Sequence, residues 1–338
     1  MRLDGLLALW LDVFRGIHME SQANAVLPTA GVAHRSHGLT EWLVLALLVV
    51  LWGSAFAALR VSVETIDSAW VVALRSWAAV LVISVASPAM LARGQGRGVE
   101  PCGGKAIGWF VLIGLAFTTL PVLVFAEASK TEPSAALAIC NGASPVFTAL
   151  LAHRLLAGER MSWRRGAGVA LGFCGLIVLV APDLLAGQPL HTMALTGAIG
   201  ATGLYAAGNI ATRMAPHISM ALSSLIITGS GAIVMTVVAL ATVPWPKDAS
   251  WSSWLAVILL GAGPSGLATL AYVWLIRKSG PMFVSFATYL SPVWAMGIGV
   301  VFLQERLEWS IAGALVLILA GVAVAHRRPR RISFGSPP

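Results

Sequence analysis

The residues that could do chemistry in this chain are few and mostly uncharged. Trp52, Ser54, Thr118, Thr119, Asn141, Ser144, Tyr205, Asn209, Ser265, Tyr272, Tyr289 and Ser291 stand singly or in pairs inside long apolar runs, with Thr269 and Thr288 beside them. Hydroxyls, amides and aromatic rings recognise a small polar molecule by hydrogen bonding and stacking; they do not make or break bonds unaided. In hydrocarbon such groups are costly unless they are paired or face water, so they point to a pathway. Each also has a plainer reading. Ser and Thr bond back to their own helical turn, and Tyr and Trp anchor helices at the membrane interface. Asn141 and Asn209 are harder to satisfy locally, because an amide has up to four hydrogen-bonding positions.

What is missing narrows the chemistry further. None of the 14 Asp and Glu residues lies at the centre of an apolar run, and the seven His lie outside them as well. A proton-exchanging carrier usually keeps such a group in the membrane, so this pattern predicts uncoupled transport. Glu127, at the end of a run, is the residue best placed to overturn that. A nucleotide-binding Gly-rich loop, a paired-carboxylate Mg site, a Ser/His/Asp set and metal-ligand spacing are all lacking, so no enzyme activity, cofactor or metal is expected. Phosphorylated cargo would want cationic clamps at mid-membrane, and none is expected there. Arg75 reads as snorkelling, or as pairing with Glu64, Asp67 or Glu127; the alternative is an outer gate. A neutral or zwitterionic small molecule with an apolar body suits the polar set. Pro121, Pro145, Pro264 and Pro292 lie inside the same runs. Each removes one N–H and frees a carbonyl one turn back, giving a kink or a hinge.

The elements that must position these residues follow from composition. Of 338 residues, 58% are hydrophobic and 11% charged, with mean hydropathy +0.84. That suits an all-α integral membrane protein, because a hydrocarbon core of roughly 30 Å needs spans of about 20 apolar residues. Ten runs are predicted to span: 42–59, 69–87, 106–126, 134–152, 166–182, 192–212, 219–243, 253–276, 281–303 and 309–325. Assigning the gaps alternately to two sides puts 17 Lys and Arg on one side and four on the other, with Arg75 completing the 22. The positive-inside rule makes the first side cytoplasmic, with both termini there. The net charge of +8 is thus an orientation signal; nucleic acid is not an expected partner, because the basic residues are scattered over short gaps. The lipid bilayer is. Residues 1–40 are expected to be a cytoplasmic tail, amphipathic or disordered, and 327–338 a basic cytoplasmic tail meeting anionic headgroups. Cys102, Cys140 and Cys174 make no disulfide framework and read as small packing residues.

A duplication runs through the chain. A shift of 147 places Gly114 on Gly261, Lys130 on Arg277 and Ser144-Pro145-Val146 on Ser291-Pro292-Val293. After a one-residue slip Glu159-Arg160 meets Glu305-Arg306, Trp163 meets Trp309 and Gly175 meets Gly321; at the front, a shift of 153 places Trp52 on Tyr205 and Arg60 on Arg213. Residues 41–185 and 190–326 are therefore expected to be two five-helix repeats. Five is odd, so the copies should run through the membrane in opposite directions, as the repeats of many secondary transporters do. Gly168, Gly172 and Gly175 give the fifth span the small-residue spacing of a close helix contact, within a monomer or across a homodimer.

With Leu51-Trp52-Gly53-Ser54-Ala55-Phe56 in the first span, and Ser-Pro followed 13 or 14 residues later by Glu-Arg in both halves, the chain resembles the EamA-type transporters of the drug/metabolite superfamily. Among these it looks like the YddG-type exporters of aromatic and other neutral amino acids. The resemblance covers about residues 42–325. It implies alternating access in a bacterial inner membrane, with spans one, three, four, six, eight and nine innermost. The competing expectations are a proton-coupled multidrug or cation exporter and a lipid-handling membrane protein.

Overall fold

Long apolar runs with few helix breakers satisfy every backbone N–H and C=O internally, the one way a single segment survives in lipid. The computed structural model describes residues 38–94, 103–155, 161–216, 218–306 and 308–326, and there the secondary structure is entirely helical. The expected N-terminal tail up to residue 37, the basic tail from 327, Cys102, and Glu159 with Arg160 lie outside the described residues.

Ten helical segments follow one another. They are α1 (Leu39–Val63), α2 (Ser68–Gly94), α3 (Gly104–Ala128), α4 (Ser134–Leu155), α5 (Trp163–Leu185), α6 (Pro189–Arg213), α7 (Met220–Thr242), α8 (251–279), α9 (281–302) and α10 (Trp309–His326). Eight are long and apolar enough to cross a membrane; α6 contains more polar residues and α10 is shorter. Large side chains such as Leu81, Ile233, Val237, Leu240, Val301 and Val316 are exposed, as a lipid-facing surface requires. Trp163, Trp251 and Trp309 are also exposed and open their helices, where indole rings suit the interface.

Helices α8 and α9 join without a loop. Gly280 reverses the chain at φ 81°, a region closed to most side chains, and Pro281 follows. Two π turns interrupt otherwise regular helices, Leu115–Thr119 in α3 and Gly261–Leu267 in α8. They fall at corresponding places under the 147-residue shift, and π turns of this kind gather at functional sites. Helix α4 breaks at Ala143, just before Ser144-Pro145.

The halves interlock. Helix α5 packs along α10, α2 along α7, α1 along the α8–α9 run, and α6 against α3 and α4. Glycines let the backbones touch. A Cβ on Gly168 would meet the Gly321 carbonyl and one on Gly321 the Gly168 carbonyl, so the small-residue spacing of α5 serves a contact within the chain. At Gly53 a Cβ would come within 2.7 Å of the Ser291 carbonyl, which holds α1 tightly on α9. Most of the buried apolar residues form one cluster across α1–α8 and α10.

Polar cross-links gather at one end of the bundle. Glu305, in the α9–α10 connection, caps the first turn of α4: it accepts from the Ser134 N–H at 2.8 Å, the Ser134 hydroxyl at 3.0 Å and the Ala135 N–H at 3.4 Å. A carboxylate there complements the positive end of the helix dipole. Gln304, at φ 53°, turns the chain so that Glu305 reaches back. Arg60 Nε lies 3.8 Å from the same carboxylate, and Arg60 Nη1 donates to the Glu132 carbonyl at 2.6 Å. Beside them Ser253 bonds the Val61 carbonyl, and Trp70 bonds the Val243 and Pro244 carbonyls. At the opposite end Lys278 approaches Glu41 at 3.2 Å.

Candidate functional site

Two adjoining cavities, each about 360 Å³, lie where the two halves meet, near the lower end of the range of roughly 300–1,000 Å³ for small-molecule sites. They share Trp52, Arg75, Val122, Tyr205, Pro264 and Ser265 as a common wall. Helical phase decides who faces inward. In α1 the lining residues Trp52, Ala55, Phe56 and Leu59 recur at three- and four-residue spacing, one face of a helix. Asn141 and Ser144 of α4, Tyr205 and Asn209 of α6, and Thr288, Ser291 and Pro292 of α9 follow the same rule in the first cavity. Thr118, Thr119, Thr269 and Tyr272 line the second.

Ten of the twelve expected polar residues therefore meet here: Trp52, Thr118, Thr119, Asn141, Ser144, Tyr205, Asn209, Ser265, Tyr272 and Ser291. Ser54 lies outside both linings, and its hydroxyl accepts from Trp294 Nε1 at 2.9 Å. Two residues from Trp52 along a helix is about 200° around it, which turns Ser54 to α9. Tyr289 is also outside, one residue off the Thr288–Ser291–Pro292 face. Of the four prolines, Pro264 and Pro292 line the first cavity, while Pro121 and Pro145 do not. Pro264 lies inside the α8 π turn, and the Leu260 carbonyl nearby takes the Ser265 hydroxyl at 3.1 Å. Pro292 packs against Gly142, where a Cβ would lie 2.9 Å from its Cγ.

The walls are aromatic and hydroxylic. Phe125 stands edge-on to Phe56 with centroids 5.3 Å apart and stacks on Tyr205 at 6.1 Å; Trp52 and Tyr272 lie 5.7 Å apart. Several lining hydroxyls are satisfied within their helices, Thr269 on the Ser265 carbonyl and Ser291 on the Ala287 carbonyl. Their oxygens remain free to accept. Asn209 is exposed although it lines the first cavity, so that cavity opens near the α6 C-terminus.

One charge enters this space, and here the sequence reading needs correction. The Arg75 side chain lines both cavities, and among the described residues it makes no ion pair with Glu64, Asp67 or Glu127. Lys130 holds the last two of these acids instead, reaching Glu127 at 2.8 Å and Asp67 at 4.0 Å. Glu127, the residue best placed to overturn the expectation of uncoupled transport, lines neither cavity. The chamber is therefore not free of cations. The signal that marks Arg75 in sequence is negative: its neighbours at three and four residues, Val71, Val72, Ala78 and Ala79, supply no acid.

Known proteins resemble this chain in fold and sequence. A solved crystal structure superposes with TM-score 0.58 at 23% identity, covering 85% of this chain and 97% of its own, which establishes the fold. The chain is 25% identical over 283 residues to the "uncharacterized inner membrane transporter YedA" of Escherichia coli (strain K12), covering 82% of this chain and 88% of that protein. It is 24% identical over 286 residues to a "probable terminal-alkyne amino-acid exporter" of Streptantibioticus cattleyicolor, covering 84% and 92%. It is 25% identical over 228 residues to protein PecM of Dickeya dadantii, covering 65% and 75%. The EamA-like transporter family matches twice, over residues 40–181 and 191–326, the two halves seen as a duplication and as interlocking helices. With both halves matched and a shared chamber between them, this membrane transporter belongs to the EamA-like family.

Proposed function

We propose that the protein exports neutral or zwitterionic amino acids, aromatic or otherwise apolar, or similar metabolites, by alternating access and without proton coupling. In this reading ten spans form two inverted five-helix repeats in a bacterial inner membrane, with both termini in the cytoplasm. The observation that carries it is the chamber: aromatic rings, hydroxyls and two amides at the junction of the halves, with no carboxylate or imidazole among its lining residues. Arginine-rich gaps orient the latched end, with Glu305, Arg60 and Ser134, to the outside. The chamber's opening near Asn209 then faces the cytoplasm, where an exporter loads. The "amino-acid exporter" in the name of the Streptantibioticus relative supports the cargo class.

Counterflow in proteoliposomes tests this. Labelled phenylalanine should equilibrate into vesicles loaded with unlabelled phenylalanine, at the same rate with and without a pH gradient. Uptake that requires the gradient would support a proton-coupled exporter; no exchange of any amino acid in a broad panel would sink the amino-acid reading.

A further inference from the structure

Arg75 is held in place by its backbone. A Cβ on Gly261, the first residue of the α8 π turn, would fall against the Arg75 carbonyl, so α2 presses directly on that turn. The side chain emerges beside Pro264, Ser265 and Tyr205, in the wall common to both cavities. It is enclosed by protein, and its partial exposure is to the chamber it lines. Its Nε is buried and has no hydrogen-bond partner among the described residues. No ion pair to Arg75 occurs among the described residues either. Glu305 is engaged by Arg60 and Ser134, Glu132 by His191, and Asp67 and Glu127 by Lys130.

A guanidinium keeps its charge at any accessible pH and offers five donors in a planar fork. Buried without a counter-charge it is costly, and the natural complement is a planar carboxylate, gripped by two parallel N–H···O bonds. We propose that Arg75 is the cargo anchor, and that the cargo class is a small monocarboxylate: the carboxylate sits on the Arg75 fork and the apolar body lies along Phe56, Phe125 and Trp52. Asn141 and Ser291 offer acceptors to an α-ammonium where the cargo has one. The inference rests on reading the chamber as the cargo site, and it adds that an anionic head is required whereas the ammonium is optional. It excludes organic cations.

The test is a binding panel on the full-length protein in detergent, read as ligand-induced thermal stabilisation. Its members are phenylalanine, 3-phenylpropionate, phenylalaninol, 3-phenylpropanamide and chloride. Both acids should half-saturate at concentrations at least about tenfold below the alcohol and the amide, the scale of charge-assisted hydrogen bonding. Arg75→Gln should erase that preference, and Arg75→Lys should keep part of it. Equal binding of acid and amide overturns the proposal. So does an Arg75→Gln variant that still prefers acids, full stabilisation by chloride at the concentrations where the acids act, or no stabilisation by any member. The wild-type panel decides even if Arg75→Gln does not fold. Should the acids bind with the expected preference while phenylalanine shows no counterflow, the anchor stands and the amino-acid transport reading fails.

Discussion

The charges of this molecule fall into two regions with opposite habits. At the latched end the central charges are engaged: Glu305 with Ser134 and Arg60, Lys130 with Glu127 and Asp67, Glu132 with His191. In the chamber Arg75 stands alone among aromatic and hydroxyl groups. Charges that hold helix ends together can be satisfied within the chain and gain little from a visitor. A charge left uncompensated inside the bundle costs stability in the empty protein, and that cost is recovered when a complementary ligand arrives. The contrast separates residues that shape the pathway from the one that selects what enters it.

Removing the central latch residue should have the largest effect on stability. Glu305→Ala strips two backbone N–H groups of α4 of their acceptor and leaves Arg60 without its carboxylate. A loss of about 2 kcal/mol is expected, discounted because Arg60 is partly exposed. Thermal unfolding in detergent would show it, with Glu305→Gln losing less because an amide oxygen can still cap. If Glu305→Ala unfolds like the wild type, the latch is incidental and the comparison collapses. The chamber should answer in the opposite way. Asn141→Leu should slow counterflow by about tenfold, the loss of one hydrogen bond worth roughly 1.4 kcal/mol, without lowering the unfolding temperature. A variant that loses transport only by unfolding would place Asn141 with the structural set.

A smaller effect concerns Glu132, whose carboxyl is 3% exposed beside His191 Nδ1 at 2.8 Å. Burial pushes its pKa up, against the opposing pull of His191. A raised carboxyl pKa favours the protonated form in the folded state, so the contribution is present at acid pH and lost as pH rises through the raised value. Wild-type unfolding temperature should decline over that interval, and Glu132→Gln, which cannot ionise, should lack that decline. Identical pH profiles for the two would mean that His191 fully compensates the charge. The smallest effect is expected at Ser54. Its hydroxyl serves Trp294 on the outside of the chamber, so Ser54→Ala should change counterflow less than about twofold. A larger drop would bring α1's far face into the pathway.

Much of this was legible in the residues. Apolar run length located the helices, and the duplicated Ser-Pro and Glu-Arg pairs located the halves. Asn141, Tyr205 and Asn209 stood out because polar atoms amid hydrocarbon need a reason, and all three line the first cavity. Ser54 and Tyr289 were misplaced for want of helical phase: Ser54, two residues from Trp52, turns about 200° away to meet Trp294 of α9, and Tyr289 falls off the Thr288–Ser291–Pro292 face. Arg75 was misjudged because its fate depends on α8, nearly 190 residues away, whose π turn brings Pro264 and Ser265 to its side. The π turns themselves leave little trace, since each depends on one surplus residue being accommodated by packing. The role of Glu305 was hidden for a similar reason: a carboxylate flanking a span looks the same whether it caps a distant helix or faces water.

The solitary guanidinium also has an electrical consequence. A fixed cation inside a membrane feels the voltage across it, about 2.3 kcal/mol per 100 mV for a charge that traverses the whole field. With an anionic monocarboxylate seated on Arg75 the pair is neutral and the loaded step is indifferent to voltage, whereas a zwitterion leaves the loaded carrier with the same single positive charge as the empty one. The empty step is not indifferent, because there the bare positive charge faces first one side and then the other. For an anionic cargo the cell's resting potential would then act mainly on the return of the unloaded carrier, setting how fast it comes back for another molecule.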